Sequence, residues 1–109
     1  MATKSITVYR QGDVVLVPVP FIPATEEIAP DNGRVILAYG EVTGHAHALP
    51  KKSAKQYRAG SGGKEYVRVL TPSAKLIHEE HAPVELPKGD YEKIIAREYT
   101  PGGERQVID

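Results

Sequence analysis

Short apolar runs, interrupted by glycine and proline, recur along the chain and predict a protein built from β-strands. The apolar positions are rich in valine, isoleucine and tyrosine, which suit a pleated, half-buried surface. No segment carries the apolar stripe at i, i+3, i+4 and i+7 that a core helix requires over ten or more residues. The predicted strands are residues 6–10, Val14–Val19, Arg34–Tyr39 with 42–49 as its continuation after Gly40, 65–70, 74–81, 91–99 and 104–108, and residues 83–86 are predicted to be short and extended.

Ten glycines and nine prolines are spread over the whole length and keep the predicted strands short. Turns are predicted at residues 11–13, 71–73, 87–90 and 100–103. The connection 21–33 contains one predicted helical turn, at Thr25–Ile28. Residues 50–63 are predicted to form a mobile basic loop, with a short helix over 53–58 as the alternative.

These strands and turns predict an all-β fold. A chain of 109 residues has the length of one domain, so we expect a single β-rich domain over residues 1–109. About seven or eight short strands at this spacing are typical of a small barrel or sandwich.

Charge and cysteine content exclude several classes of function. Lysine plus arginine and aspartate plus glutamate both number 14, so the formal net charge is zero and a general nucleic-acid binder is disfavoured. The chain has no cysteine, which excludes disulfides and thiolate metal sites. No apolar run approaches the roughly 18 residues of a membrane helix. We therefore expect a cytoplasmic protein without a membrane partner.

A homo-oligomer is the expected state. The zero net charge gives little repulsion between copies. Many strands in so short a chain also leave a small core for a monomer and edges that need protection.

All four histidines fall in two tight groups. His45 and His47 stand two apart in a predicted strand, so both imidazoles project from the same face. In the second group, His78 and Glu80 share a face if the segment is extended. His78 and His81 share a face if it forms a helical turn.

Two such segments lying side by side would hold one divalent metal ion. The candidate ligands are the four histidines and one carboxylate, namely His45, His47, His78, Glu80 and His81. Imidazole suits Zn, Fe, Ni or Cu, and ligand type alone does not choose among them. A metal with an open position would also allow a small molecule to bind, and whether the site is catalytic stays open.

The alternative is a protein without metal. The histidines would then belong to a hydrogen-bond network or to a subunit interface. The chain would serve as a homo-oligomeric structural or assembly protein, of the kind found in phages.

The segments Gly40-Glu41-Val42-Thr43-Gly44-His45-Ala46-His47 and Leu86-Pro87-Lys88-Gly89-Asp90-Tyr91 resemble part of the cupin pattern. Cupins are small β-barrels with an HxH pair in the first motif and a Pro-x-Gly turn before a further histidine in the second. The resemblance implies that His45 and His47 are metal ligands and that Pro87 and Gly89 form the turn. The sequence departs from the pattern because no glutamate follows His47 at the cupin spacing and Tyr91 or Glu92 stands where cupins have the further histidine.

The chain also resembles short proteins of bacteria and their phages in which GEVTGHxH, HEEH and REYTP recur. That resemblance implies no particular activity.

Overall fold

The protein is represented by a computed structural model that describes residues 7–23, 25–39, 45–59 and 63–96. Within these residues eight strands form two antiparallel sheets and no α-helix occurs, which confirms the predicted all-β class. The strands are β1 (Tyr9–Gln11), β2 (Val14–Val19), β3 (Thr25–Ile28), β4 (Arg34–Tyr39), β5 (Ala46–Pro50), β6 (Ala54–Ala59), β7 (Glu65–Leu76) and β8 (Val84–Ile95).

The larger sheet has six strands in the order β1-β2-β8-β7-β6-β3, and β4 and β5 form a separate two-stranded sheet. The long strands β7 and β8 form the centre of the six-stranded sheet. The register of their pairing shifts between Val69 and Ser73, where a bulge interrupts β7. Bulges bend a strand, so the two halves of the long hairpin turn around the core.

The core lies between the two sheets and follows the two-residue period of the strands. Its fully buried side chains are mainly leucine and valine: Val14, Leu16, Val35, Leu37, Leu49, Val67, Val69, Leu76 and Leu86. At about 25 cal/mol per Å² of apolar surface, burial of these side chains is the main stabilising contribution.

Among the described residues, one backbone bridge and two hydrogen bonds from side chains to carbonyl oxygens join the sheets. Ala48 of β5 and Ile77 exchange backbone hydrogen bonds of 3.0 and 2.9 Å. A bulge in β4 between Ile36 and Ala38 interrupts the β4–β5 ladder. Side chains of the larger sheet donate to carbonyl oxygens at this bulge, Gln56 Nε2 to Ile36 at 3.0 Å and Lys93 Nζ to Leu37 at 2.7 Å.

Two predictions of helix or loop are wrong. Residues Thr25–Ile28 form edge strand β3 and not a helical turn, because they pair with β6. Residues Ala54–Ala59 of the predicted basic loop form β6, in which buried Ala54 and Gln56 alternate with exposed Lys55. Small and polar residues occupy the buried positions, so the alternation is invisible to a count of large apolar residues.

The turns predicted at 71–73 and 87–90 are also wrong, because β7 and β8 run through them. Pro72 lies in the bulge between Val69 and Ser73. The ladder is interrupted there, so the lack of an N–H donor on proline costs no ladder hydrogen bond. Pro87 and Gly89 pair with Ser73 and Val69 inside β8 and form no cupin-like turn.

The second histidine group is not a strand. Residues 79–81 form a bend after β7, and the strand predicted over 74–81 ends at Leu76. The predicted closing hairpin, the start of the 6–10 strand and the start of the 42–49 strand lie outside the described residues.

Candidate metal centre

The Ala48–Ile77 bridge brings the two histidine groups together. In an antiparallel register, one step back along β5 and one step forward from Ile77 places His47 opposite His78. The next step places Ala46 opposite Glu79, and Ala46 N–H donates to Glu79 Oε1 at 3.0 Å. The step after that places His45 beside Glu80, with Nδ1 and Oε2 2.9 Å apart. One bridge therefore accounts for the positions of His78, Glu79 and Glu80 relative to β5.

Three imidazoles form the cluster: those of His47, His78 and His81. One nitrogen from each lies within 4.8 Å of the others. The ring centroids of His47 and His78 are 4.2 Å apart, and those of His78 and His81 are 4.7 Å apart. His47 and His78 are buried, and His81 is exposed. The cluster thus extends from the interior to the surface.

The buried side chain of Gln11 holds His47. Its Nε2 donates to the carbonyl oxygens of Leu76 and Ala82, both at 2.9 Å. Because carbonyl oxygens only accept, the NH₂ group faces them and Oε1 faces His47 Nδ1 at 2.8 Å. His47 Nδ1 must then carry the proton, which leaves the lone pair of the neutral ring on Nε2.

His78 accepts a hydrogen bond at Nδ1, whereas His47 donates one from Nδ1. The backbone N–H of Glu80 donates to His78 Nδ1 at 2.9 Å. A nitrogen that accepts a hydrogen bond carries no proton, so the proton of neutral His78 is on Nε2.

Glu79 anchors the bend to β5. The N–H of Ala46 lowers the pKa of the Glu79 carboxyl, and its own backbone N–H and the neighbouring His45 and His78 act in the same direction. A carboxylate that accepts backbone hydrogen bonds is stabilised in its charged form.

Two predicted ligands lie beside the cluster. His45 and Glu80 form an ion-pair contact with each other, and the His45 ring stands edge-on to His78 with centroids 5.9 Å apart. The carboxylate lies off the hydrogen-bonding direction, so buried His45 Nδ1 has no hydrogen-bond partner among the described residues. Of the five predicted ligands, the structure brings His47, His78 and His81 together.

Gly12, in the turn between β1 and β2, closes one side of the cluster. Its φ is +57°, and a Cβ at this position would lie 2.8 Å from His81 Nε2 and 3.2 Å from His47 Cε1. Any side chain here would strain the backbone, because the conformation is left-handed, and it would also clash with the imidazoles.

Sequence reasoning missed the roles of Gln11 and Gly12. The turn predicted at residues 11–13 is present at Gly12 and Asp13, whereas Gln11 is the last residue of β1. The contacts of both residues join parts of the chain up to 71 residues apart, and no local pattern signals them.

A cavity of about 260 Å³ lies beside β5. Its lining includes Ala46, Ala48, Leu49 and Pro50 of β5 and Glu79 of the bend. His47 is not among its lining residues.

Three imidazoles with a solvent-facing side can bind a first-row divalent ion and leave coordination positions for water or a small ligand. The fold and the cluster define a small all-β domain with a histidine cluster that could hold a metal ion. Residues 10–96 match the family described as Domain of unknown function (DUF8820), and the chain belongs to that family.

The matched range contains the three clustered histidines as well as Gln11 and Gly12. No curated protein and no solved structure matches the chain. In the part of the chain that the structure describes, no helix is long and apolar enough to cross a membrane.

Proposed function

We propose that this protein binds one divalent metal ion through His47, His78 and His81. The observation that supports the proposal is the convergence of three imidazole nitrogens, one from each residue, within 4.8 Å. Ligand nitrogens around a single first-row ion lie about 3–3.5 Å apart, given metal–nitrogen distances near 2.0–2.1 Å. Small movements of the rings, above all of exposed His81, would close that difference.

The metal is of the Zn, Fe or Ni type, because imidazole nitrogens suit these ions better than hard, oxygen-seeking Mg²⁺ or Ca²⁺. With three protein ligands the ion keeps at least one position for water or a small molecule. His45 lies beside the cluster and contacts Glu80. We propose that the Glu80 carboxylate hydrogen-bonds a metal-bound water or joins as a fourth ligand.

The test is metal content and metal affinity of the purified, untagged protein. We expect about one equivalent of metal by mass spectrometry after growth in supplemented medium, in the one-ion stoichiometry of such sites. His81→Ala removes an exposed ligand and should abolish binding without disturbing the core. Lys75→Ala, an exposed change on β7, is the control. Absence of metal from the parent, together with no thermal stabilisation by added Zn²⁺, Ni²⁺ or Fe²⁺, would contradict the proposal.

Two observations favour a second candidate, a metal-free homo-oligomeric assembly protein of the phage type. Gln11 and the Glu80 amide already satisfy the Nδ1 atoms of His47 and His78 without any ion. Large apolar side chains are also exposed, with Phe21 at 66% and Tyr39 at 58%, and such residues are suited to contacts between copies.

Size-exclusion chromatography with light scattering, with and without a chelator, separates these functions. An oligomer that persists unchanged in chelator, from protein without metal, supports assembly. A metal-loaded monomer supports the metal site alone. We also propose a cytoplasmic location, since the cysteine-free chain makes no use of an oxidising compartment; cell fractionation tests it.

A further inference from the structure

Gln11 contacts His47 and the backbone on both sides of the segment that carries His78 and His81, although it lies far from all three histidines in sequence. Its side chain is 3% exposed, so its amide must find its partners inside the protein. Oε1 accepts from His47 Nδ1 at 2.8 Å, and Nε2 donates to the carbonyls of Leu76 and Ala82 at 2.9 Å. Those two carbonyls bracket the segment that carries His78 and His81.

We propose that Gln11 is the positioning residue of the metal site, which presents His47 Nε2 to the ion and holds the segment with the other two ligands beside it. This inference rests on the proposed function. A neutral imidazole binds a metal through its unprotonated nitrogen, and the partner of the other nitrogen selects which one that is. Gln11 makes that selection before any ion arrives.

The amide suits this task better than a carboxylate because it has two different ends. A carboxylate at position 11 would accept from His47 but would place an oxygen against the carbonyls of Leu76 and Ala82. An apolar side chain would serve neither partner. The two functions of Gln11 can therefore be separated by substitution.

The experiment compares Gln11→Met, Gln11→Glu and Gln56→Met. Gln56 is the matched control because it is equally buried at 3% and donates to the carbonyl of Ile36, away from the histidines. The tautomer of His47 is measured in the metal-free proteins by ¹⁵N NMR of the imidazole nitrogens. Zinc affinity is measured by competition with a chromophoric chelator.

In the parent and in Gln56→Met we expect His47 with its proton on Nδ1. Gln11→Met should lose that preference and bind zinc about 10–100-fold more weakly, the usual effect of removing a partner of a metal-bound histidine. Gln11→Glu should keep the Nδ1–H tautomer, and its zinc affinity should lie above that of Gln11→Met.

The inference is overturned if Gln11→Met keeps both the Nδ1–H tautomer and the parent's zinc affinity. It is also overturned if Gln56→Met weakens zinc binding equally, since the effect would then be a general loss of stability. If the parent binds no zinc but His47 changes tautomer in Gln11→Met, the proposed metal site is contradicted. Gln11 then still selects the tautomer of His47, but it does so without positioning a metal ligand. If Gln11→Met does not fold, the inference is tested by the His47 tautomer in the parent and in Gln11→Glu. A proton on Nε2 of His47 in either protein would overturn it.

Discussion

His78 Nδ1 accepts a hydrogen bond from the backbone amide of Glu80, two residues further along the chain, at 2.9 Å. A neutral imidazole has one lone pair available in the plane of the ring. If His78 binds a metal through Nδ1, that lone pair is used. If it binds through Nε2, the proton moves to Nδ1, which then cannot accept. Coordination by either nitrogen therefore ends this hydrogen bond.

Metal binding should release the Glu80 amide. In the metal-free protein we expect a scalar coupling across the hydrogen bond between the Glu80 amide nitrogen and His78 Nδ1, measured by NMR. Saturation with Zn²⁺ should abolish this coupling and speed exchange of the Glu80 amide with solvent. The Ile77 amide, which donates to the Ala48 carbonyl at 2.9 Å, is the internal control and should stay protected. A coupling that survives at full zinc occupancy would exclude His78 as a ligand.

Gly12→Ala should weaken metal binding as well as stability. A left-handed conformation costs a non-glycine residue about 1–2 kcal/mol, and the new methyl group would also meet His81 Nε2 at 2.8 Å. Gly33→Ala is the matched control, because Gly33 also has a positive φ, +81°, but nothing lies within 4 Å of its Cβ position.

Urea unfolding and zinc titration of both variants test this prediction. Both should lose a similar free energy of unfolding from the backbone, and only Gly12→Ala should lose zinc affinity. Equal zinc affinity in the two variants would show that Gly12 does not shape the metal site.

The sequence predicts the strands whose large apolar residues alternate. The bounds of β2 and β4 are those predicted, and buried Val14, Leu16, Val35 and Leu37 explain why. Strand β3 was missed because Glu26 and Glu27 carry charges suited to a sheet edge, where Glu27 lies 3.9 Å from Lys55. Its extended form comes from pairing with β6, which the local sequence does not encode.

The sequence predicts that histidines form the candidate site, but it does not predict which of the candidate residues lie together. The spacing left open whether His78 pairs with Glu80 or with His81, and the bend after β7 places His78 and His81 together. The Ala48–Ile77 bridge decides which residues face His47, and this bridge depends on the packing of two sheets. The contact between Gln11 and His47 depends on the same packing.

Tyr91 should make the fold sensitive to alkali. Burial, with the neighbouring Tyr9 as a smaller cause, raises the pKa of Tyr91 to about 12 from the ordinary 10.0. Below pH 10 the phenol is protonated in both states and its contribution is complete. Between pH 10 and 12 the unfolded chain loses the proton while the folded protein keeps it, so the free energy of unfolding falls as pH rises.

Tyr91→Phe should flatten that decline, which urea unfolding between pH 8 and 12 measures. The variant also loses the hydrogen bond from the hydroxyl to the Pro87 carbonyl, so its stability at pH 8 should be lower by about 1 kcal/mol. An unchanged alkaline slope in Tyr91→Phe would assign the decline to another group.

Lys93 should be needed to hold the two sheets together. Its side chain is 11% exposed, ion-pairs with Glu65 and donates to the carbonyl of Leu37 at the β4 bulge. Lys93→Met keeps the length of the side chain but leaves the Leu37 carbonyl without this donor and Glu65 without this charge. We expect a loss of about 1.5–3 kcal/mol in the free energy of unfolding, the range for hydrogen bonds to charged groups.

Lys64→Met is the control for that variant, because Lys64 is 63% exposed and its ion pair with Glu92 spans 3.6 Å. Exposed pairs contribute at most about 1 kcal/mol, so this change should be nearly neutral. Hydrogen exchange of the β4 amides measures whether the two-stranded sheet separates first. Faster exchange in β4 than in β7 of Lys93→Met would support a contact that joins the sheets, whereas uniform acceleration would show that Lys93 stabilises the fold as a whole.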